Sequence, residues 1–492
     1  MLFNSPTFVV FFATVFCLYW VLRERRWQNS LLLLASYVFY GAWSWKFLLL
    51  LMASTLFDYT CGRLLAGQGS QAARRRIVFA SVAINLLFLG TFKYANFFVR
   101  EATELLALLG FQANVRTLEV VLPVGISFYT FQSLSYVIDV YRGKLQPVRN
   151  LADYALYVAF FPQLVAGPIE RAAHMLPQYQ RERTLTRTAF ESGLQLMVWG
   201  LFKKIVIADN LAPYVNAVYG DPQAFSGTAI ATATLFFAFQ IYCDFSGYSD
   251  TARGAARTLG FELISNFQQP YFSRNPVEFW RRWHISLSQW FQDYLYFPLA
   301  MRFMRQGGWA SKYKAHIISM ALIGFWHGAS VTFIVFGLYW GFVIAGYLYV
   351  QERISEADPG TLLERVGRQL QSNRVVDAAC VIVMFAMVCF GWIFFRASTM
   401  AEAWYVITHM FATGGATDVV RAEVVSSGIL WMMVAGLWLA EWVYRNRPAV
   451  VAVLEGGNAR SVAARHAMFA AILFSYLVTQ QGRAQPFIYF QF

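Results

Sequence analysis

Charge is scarce in this chain. Asp, Glu, Lys and Arg make up 14% of its 492 residues, where a soluble domain carries about 25%. That deficit excludes a soluble globular enzyme and a disordered or fibrous protein. Cysteine is scarce as well: Cys17, Cys61, Cys243, Cys380 and Cys389 are scattered, with no C-x-x-C pair. An odd, dispersed set is neither a disulfide framework nor a zinc site, and reads as small buried hydrophobes. None of the six histidines is followed by Glu, and neither a G-x-S-x-G elbow nor a Walker A loop occurs. The familiar metalloprotease, serine-hydrolase and P-loop readings lose their support.

What is abundant is apolar and aromatic: 58% hydrophobic residues and 18% Phe, Trp and Tyr. Apolar runs recur near 7–22, 29–43, 46–65, 77–97, 118–140, 151–168, 190–208, 226–243, 315–328, 330–351, 376–395, 425–444 and 464–480. A bilayer core asks for about 20 apolar residues per helix, so the pattern predicts an all-α polytopic membrane protein with about 11 transmembrane helices. The net charge of +13 lies in short basic clusters between these runs, as the positive-inside rule expects, and argues against nucleic acid. The run from Phe8 to Leu22, followed by Arg23, Arg25 and Arg26, reads as an uncleaved anchor with its N-terminus outside. The whole chain, 1–492, is expected to form a single membrane domain, with 244–314 as cytosolic or interfacial helices and 352–374 as an amphipathic linker.

Two places break the spanning pattern. The run 151–168 ends in Phe161-Pro162-Gln163-Leu164-Val165-Ala166-Gly167-Pro168 and has basic residues on both flanks, which predicts a re-entrant segment shielded by protein. From Ala315 to Gln351 there is no Asp, Glu, Lys or Arg. One helix of that length would run about 55 Å against a core of about 30 Å, so it must bend or break. Gly324, Gly328, Ala329 and Ser330 are the weak points, and His327 sits among them.

His327 is the strongly titratable side chain well inside that run. An ionisable group at membrane depth marks a functional site by default, and a neutral imidazole suits a general base. The alternative is a hydrogen-bonded packing histidine; the adjoining glycine and break favour function. His284 lies in Phe279-Trp280-Arg281-Arg282-Trp283-His284-Ile285-Ser286-Leu287-Ser288-Gln289-Trp290. Trp280, Trp283, His284 and Leu287 fall on one face if this is a single interfacial helix. Seven basic residues between Tyr271 and Lys314 face only Glu278 and Asp293. Such a surface suits the phosphates of coenzyme A or anionic lipid heads, and the residues alone favour lipid. Gly125, Tyr129, Gln132, Tyr136 and Asp139 form a polar helix stripe that lines a cavity or binds neighbouring helices. Asp244, closing the run 226–243, reads first as a helix end near water, and second as a functional acid.

These motifs together resemble the membrane-bound O-acyltransferase (MBOAT) family, in its bacterial branch that includes alginate O-acetyltransferase. The matching stretches are Gly125 to Tyr129, Phe161 to Ile169, Asp244 to Asp250, Phe279 to Trp290, Asp293 to Tyr296 and Trp326 to Ser330, in family order over roughly 30–400 of the chain. The resemblance implies a ring of helices around a central funnel, with a catalytic histidine mapping onto His327 and a second polar position onto His284. It implies transfer of an acetyl group from cytosolic acetyl-CoA, a donor substrate and not a bound cofactor, to a hydroxyl on the way to a cell-surface polysaccharide such as alginate. Trp280, Arg281, Arg282 and Ser288 would bind the donor, and Tyr129, Gln132, Asp244 and Trp326 would line the tunnel. It further implies a bacterial inner-membrane location and a periplasmic partner of the SGNH-hydrolase type; the cysteine and histidine pattern leads us to expect no metal. No segment of this chain is long enough to be an outer catalytic domain. One departure stands out: Pro298-Leu299 is followed by Ala300-Met301 where alginate-type members carry two glycines. The rival readings are D-alanyl transfer to teichoic acid from a carrier protein, and a transporter or flippase using the same helices.

Overall fold

The computed structural model describes residues 1, 3–111, 122–307, 311–359, 361, 374–412, 420–447 and 487–488. Their regular structure is all helical, with no strand among the described residues. In chain order the helices are α1 (Pro6–Val21), α2 (Arg25–Gly41), α3 (Trp45–Gly67), α4 (Gln71–Leu89), α5 (Ala95–Leu108), α6 (Ile126–Tyr141), α7 (Leu151–Ala159), α8 (Phe161–Leu164), α9 (Ala172–Gln180) and α10 (Arg187–Leu201). They continue with α11 (Asp209–Gly220), α12 (Gly227–Thr258), α13 (Pro276–Arg282), α14 (Ile285–Phe291), α15 (Phe297–Gln306), α16 (Ser311–His327), α17 (Val331–Ser355), α18 (Arg374–Arg396), α19 (Met400–His409) and α20 (Val420–Asn446). By length and composition Trp45–Gly67, Gln71–Leu108, Gly227–Thr258, Val331–Ser355 and Val375–Arg396 are long and apolar enough to cross a membrane, and Pro6–Val21 is a shorter apolar helix. Large apolar side chains such as Val10, Phe79, Ile382 and Met432 stay exposed, as a surface bathed in lipid requires. The expected segment 464–480 and most of the 352–374 linker lie outside the described residues.

The chain divides into two compact units, Met1–Met197 with Tyr248–Ser265, and Val198–Gly247 with Asn266–Phe492. In the first, α6 starts where Gly125 adopts φ 78°, a left-handed conformation that suits glycine. A Cβ there would also stand 2.5 Å from the Leu164 carbonyl. Gly62 on α3 leaves room for Tyr136, whose hydroxyl accepts a hydrogen bond from the Val148 N–H at 3.1 Å. The 151–168 run is broken: α7 stops, Phe160 turns out of helical geometry, and α8 is a single turn. Phe161 N–H donates to Ser36 Oγ at 3.0 Å and Gln163 Nε2 to the Tyr157 carbonyl at 2.5 Å, so the freed backbone finds partners. Every residue from Tyr154 to Glu170 is buried, the shielding that irregular backbone needs in an apolar medium.

In the second unit the charge-free run is split between α16 and α17 at Gly328-Ala329-Ser330. Ser330 caps α17 by accepting from the Thr332 N–H at 3.3 Å. The two helices lie so close that a Cβ on Gly324 would strike the Phe333 carbonyl and one on Gly337 the Met320 carbonyl. Small residues that let backbones meet are how membrane helices gain van der Waals contact. Gly328 has its own reason: the Phe333 ring occupies the space a side chain would need.

Two sequence expectations need correction. Asp244 does not close a helix near water. α12 runs on through Asp244 to Thr258, and Asp244 is 3% exposed. Its charge is met inside the protein, so no water is needed to satisfy it. Nor is Phe279 to Trp290 one helix. α13 ends at Arg282, Trp283 is extended, and His284 takes φ 43°, ψ 55° before α14 begins. Asn266 holds that break: its carbonyl accepts the Ile285 N–H at 3.0 Å, and its Oδ1 accepts the Ser286 N–H and hydroxyl at 3.2 and 2.6 Å.

Candidate active site

The second unit brings the two histidines to the same indole. His327 ends α16 and is 4% exposed; His284 heads α14 and is fully buried. Trp326 has its ring centroid 4.9 Å from that of His327 and 6.3 Å from that of His284. Behind His327 stand Phe395 at 5.1 Å and Phe336 at 6.1 Å. Behind His284 stands Phe245, edge to face at 4.6 Å. Both imidazoles are therefore fixed in aromatic walls. Burial pushes the His284 imidazole well below histidine's ordinary value, so near pH 7 it is neutral and presents one N–H donor.

Backbone strain singles out the same place. Among the described residues His284 and Gln269 are the non-glycine residues with positive φ. Histidine is among the side chains that tolerate the left-handed region, and such strain persists where surrounding contacts over-determine it. Asn266 supplies those contacts.

A buried ion cluster supports the wall that carries Phe245. Lys204 Nζ lies 2.5 Å from Asp244 Oδ1 and 2.7 Å from Asp209 Oδ1, and Asp244 Oδ2 accepts the Ile488 N–H at 2.7 Å. Lys204 belongs to a π-type segment, Phe202–Ala208, between α10 and α11. Gly247 on α12 makes the approach possible, because a Cβ there would stand 2.5 Å from the Gly200 carbonyl. Two residues before Asp244, the Tyr242 hydroxyl donates to the Glu441 carboxylate of α20. Sequence reasoning missed Lys204, Asp209 and Glu441. The signal was present in Lys203-Lys204 within the apolar run 190–208, since ionisable residues in such runs are rarely idle.

The expected donor residues separate into two kinds. Arg281 is exposed and makes no hydrogen bond or ion pair among the described residues. Arg282 is committed, to Glu278 at 2.9 Å and to the Gln268 carbonyl at 3.3 Å. Trp280 is buried, against Trp340 at 5.5 Å and Phe336 at 6.4 Å. The Ser288 hydroxyl donates to the Trp283 carbonyl at 3.2 Å across the helix break. The basic surface is also less bare than its sequence suggests: Arg274 meets Asp377 and Lys312 meets Glu352. Of the expected tunnel residues, Asp244 and Trp326 belong to this aromatic and ionic assembly. Tyr129 and Gln132 are buried on α6, in the first unit.

A sequence profile described as MBOAT, membrane-bound O-acyltransferase family, matches residues 148–365. A "Probable alginate O-acetylase AlgI" of Pseudomonas aeruginosa is 39% identical over 84% of this chain and 75% of its own length. A "Peptidoglycan O-acetyltransferase" of Helicobacter pylori is 31% identical over 84% and 80% respectively. A "Teichoic acid D-alanyltransferase" of Bacillus subtilis is 26% identical over 55% and 68%.

Proposed function

The chain belongs to the membrane-bound O-acyltransferase family and is a multi-pass membrane acyltransferase, and from that premise we propose that it carries acetyl groups from cytosolic acetyl-CoA to a hydroxyl acceptor destined for a cell-surface polysaccharide. Its place is the bacterial inner membrane. The observation that carries the reading is the pair of buried histidines that both pack against Trp326. His327 takes the proton of the acceptor hydroxyl as that oxygen attacks the thioester carbonyl. The C–O bond forms, the C–S bond breaks, and the proton leaves with the coenzyme A thiol. His284, neutral in its buried turn, donates its N–H to the carbonyl oxygen where negative charge develops. The exposed Arg281 and its basic neighbours receive the donor's phosphates.

Three of the named relatives concern alginate, peptidoglycan and teichoic acid, all polymers outside the cytoplasm. An alginate-like exopolysaccharide is the acceptor favoured by the higher identities. A periplasmic partner of the SGNH-hydrolase type completes transfer to the polymer. Purified protein supplied with radiolabelled acetyl-CoA and a hydroxyl acceptor tests the proposal. Thiol release that depends on His327 supports it. Turnover with a D-alanyl carrier protein and none with acetyl-CoA would reassign the donor. Lipid or solute translocation without acyl transfer would reject the reading.

A further inference from the structure

The first unit holds a carboxylate without a counter-charge. Asp58 lies midway along α3 and is fully buried. Its partners among the described residues are neutral. Asn85 Nδ2, on α4, donates to Oδ1 at 3.1 Å and to Oδ2 at 2.9 Å, and Ser81 Oγ donates to Oδ1 at 2.7 Å. Every one of these contacts donates into the carboxylate, the pattern that suits its ionised form. A single buried negative charge inside a membrane protein is expensive unless something positive meets it.

Two further oxygens gather at the same spot. Ser133 on α6 stands beside the Asp58 carboxylate, and Tyr154 on α7 stands beside Ser133. Both residues are fully buried, and neither hydroxyl makes a hydrogen bond of good geometry, although Ser133 lies within reach of both Asp58 and Tyr154. Four helices thus direct one carboxylate and two buried hydroxyls to one place. The packing there is built for it: Gly62, one turn after Asp58, admits Tyr136, which stacks obliquely on Tyr154 at 4.5 Å.

We propose that Asp58, Ser133 and Tyr154 bind one small alkali cation of the sodium class. Oxygen donors select a hard cation. One carboxylate is neutralised by one positive charge, whereas a divalent ion would leave a buried excess. Asn85 and Ser81 orient the carboxylate, and the cation ties α3 to α6 and α7. The site involves neither histidine, so it stands whatever acyl group the enzyme transfers.

The test is thermal unfolding of the purified full chain in detergent at pH 8. Sodium chloride is titrated against choline chloride at constant ionic strength, with a parallel potassium series. The expected result is a saturable rise in Tm with the alkali cation. Ser133→Ala should move the midpoint of that rise to about tenfold higher concentration, and Asp58→Asn should abolish it. Should Asp58→Asn fail to fold, the wild-type titration and Ser133→Ala still decide. A wild-type Tm indifferent to sodium and potassium would overturn the proposal. So would a Tm that follows pH alone, since a proton would then neutralise Asp58.

Discussion

The Trp326 indole stands edge-on to the His327 imidazole, with centroids 4.9 Å apart and planes inclined at 68°. Together with Phe336 and Phe395 this leaves the imidazole little rotational freedom. Replacing it removes the proposed base without removing the walls. His327→Ala is expected to lower kcat for acetyl transfer by about 10²–10⁴-fold, while Tm and membrane insertion stay near wild type. Near-normal transfer by a well-folded variant would remove His327 from the mechanism.

Arg281 and Arg282 are neighbours with different duties, so their charge reversals should part. Arg281→Glu is expected to raise KM for acetyl-CoA with kcat nearly unchanged, the mark of lost ground-state binding. Added salt should shrink that difference, because exposed charges are screened. Arg282→Glu instead sets two acids one helical turn apart and frees Glu278 from its 2.9 Å partner. Its main effect should be a lower Tm. An unchanged KM in Arg281→Glu would assign the surface to lipid headgroups.

Lys204 pairs with the buried Asp244 carboxylate at 2.5 Å and with the partly exposed Asp209 carboxylate at 2.7 Å. Lys204→Met leaves both unpaired and should destabilise the fold by about 3–5 kcal/mol, the usual consequence of removing one partner of a buried pair. Adding Asp244→Asn should restore part of that loss. If the double variant is no more stable than Lys204→Met, the two residues are not coupled in the way the distances imply.

At His284 the backbone and the side chain can be tested apart. His284→Asn keeps a residue that accepts the left-handed region, so its Tm should stay close to wild type while transfer falls. His284→Val forces a β-branched residue into φ 43° and should cost about 1–3 kcal/mol of stability as well. Equal stability of the two variants would mean that the turn is not strained.

His174, on the exposed side of α9, donates through Nδ1 to the buried Glu170 at 2.7 Å. That hydrogen bond raises its pKa above the ordinary 6.5. A raised folded-state value means that the pair contributes its full stability below pH 6.5 and loses it as pH climbs through the raised value. Wild type should therefore lose more Tm than His174→Gln between pH 6 and pH 8 buffers. The difference should be small, because the ring is nearly half exposed and screened. Parallel pH profiles for the two proteins would contradict the linkage.

Much of this was legible from residue order. The absence of charge from Ala315 to Gln351 forces a break on length alone, and glycine and serine say where. The prolines and glycine after Phe161 likewise announce a broken segment. The Phe279–Trp290 stretch misled because its apolar spacing satisfies one helix and also two short helices joined by a turn. What decides between them is Asn266, some twenty residues earlier, and periodicity within a window carries no information about it. Asp244 misled for the same reason: its neutralising lysine lies forty residues upstream, on another helix. Long-range pairing of charges is the part of this site that local pattern does not encode.

Three residues separate α16 from α17, and they reach at most about 10 Å. The two helices must partition together as a hairpin, zipped along Gly324, Gly337 and Gly341. His327 rides at the bend, so the apolar gain of both arms offsets the burden of bringing an ionisable ring into lipid. Biogenesis and chemistry then depend on the same three-residue turn: lengthening it should show first as failed insertion, before any effect on turnover could be read.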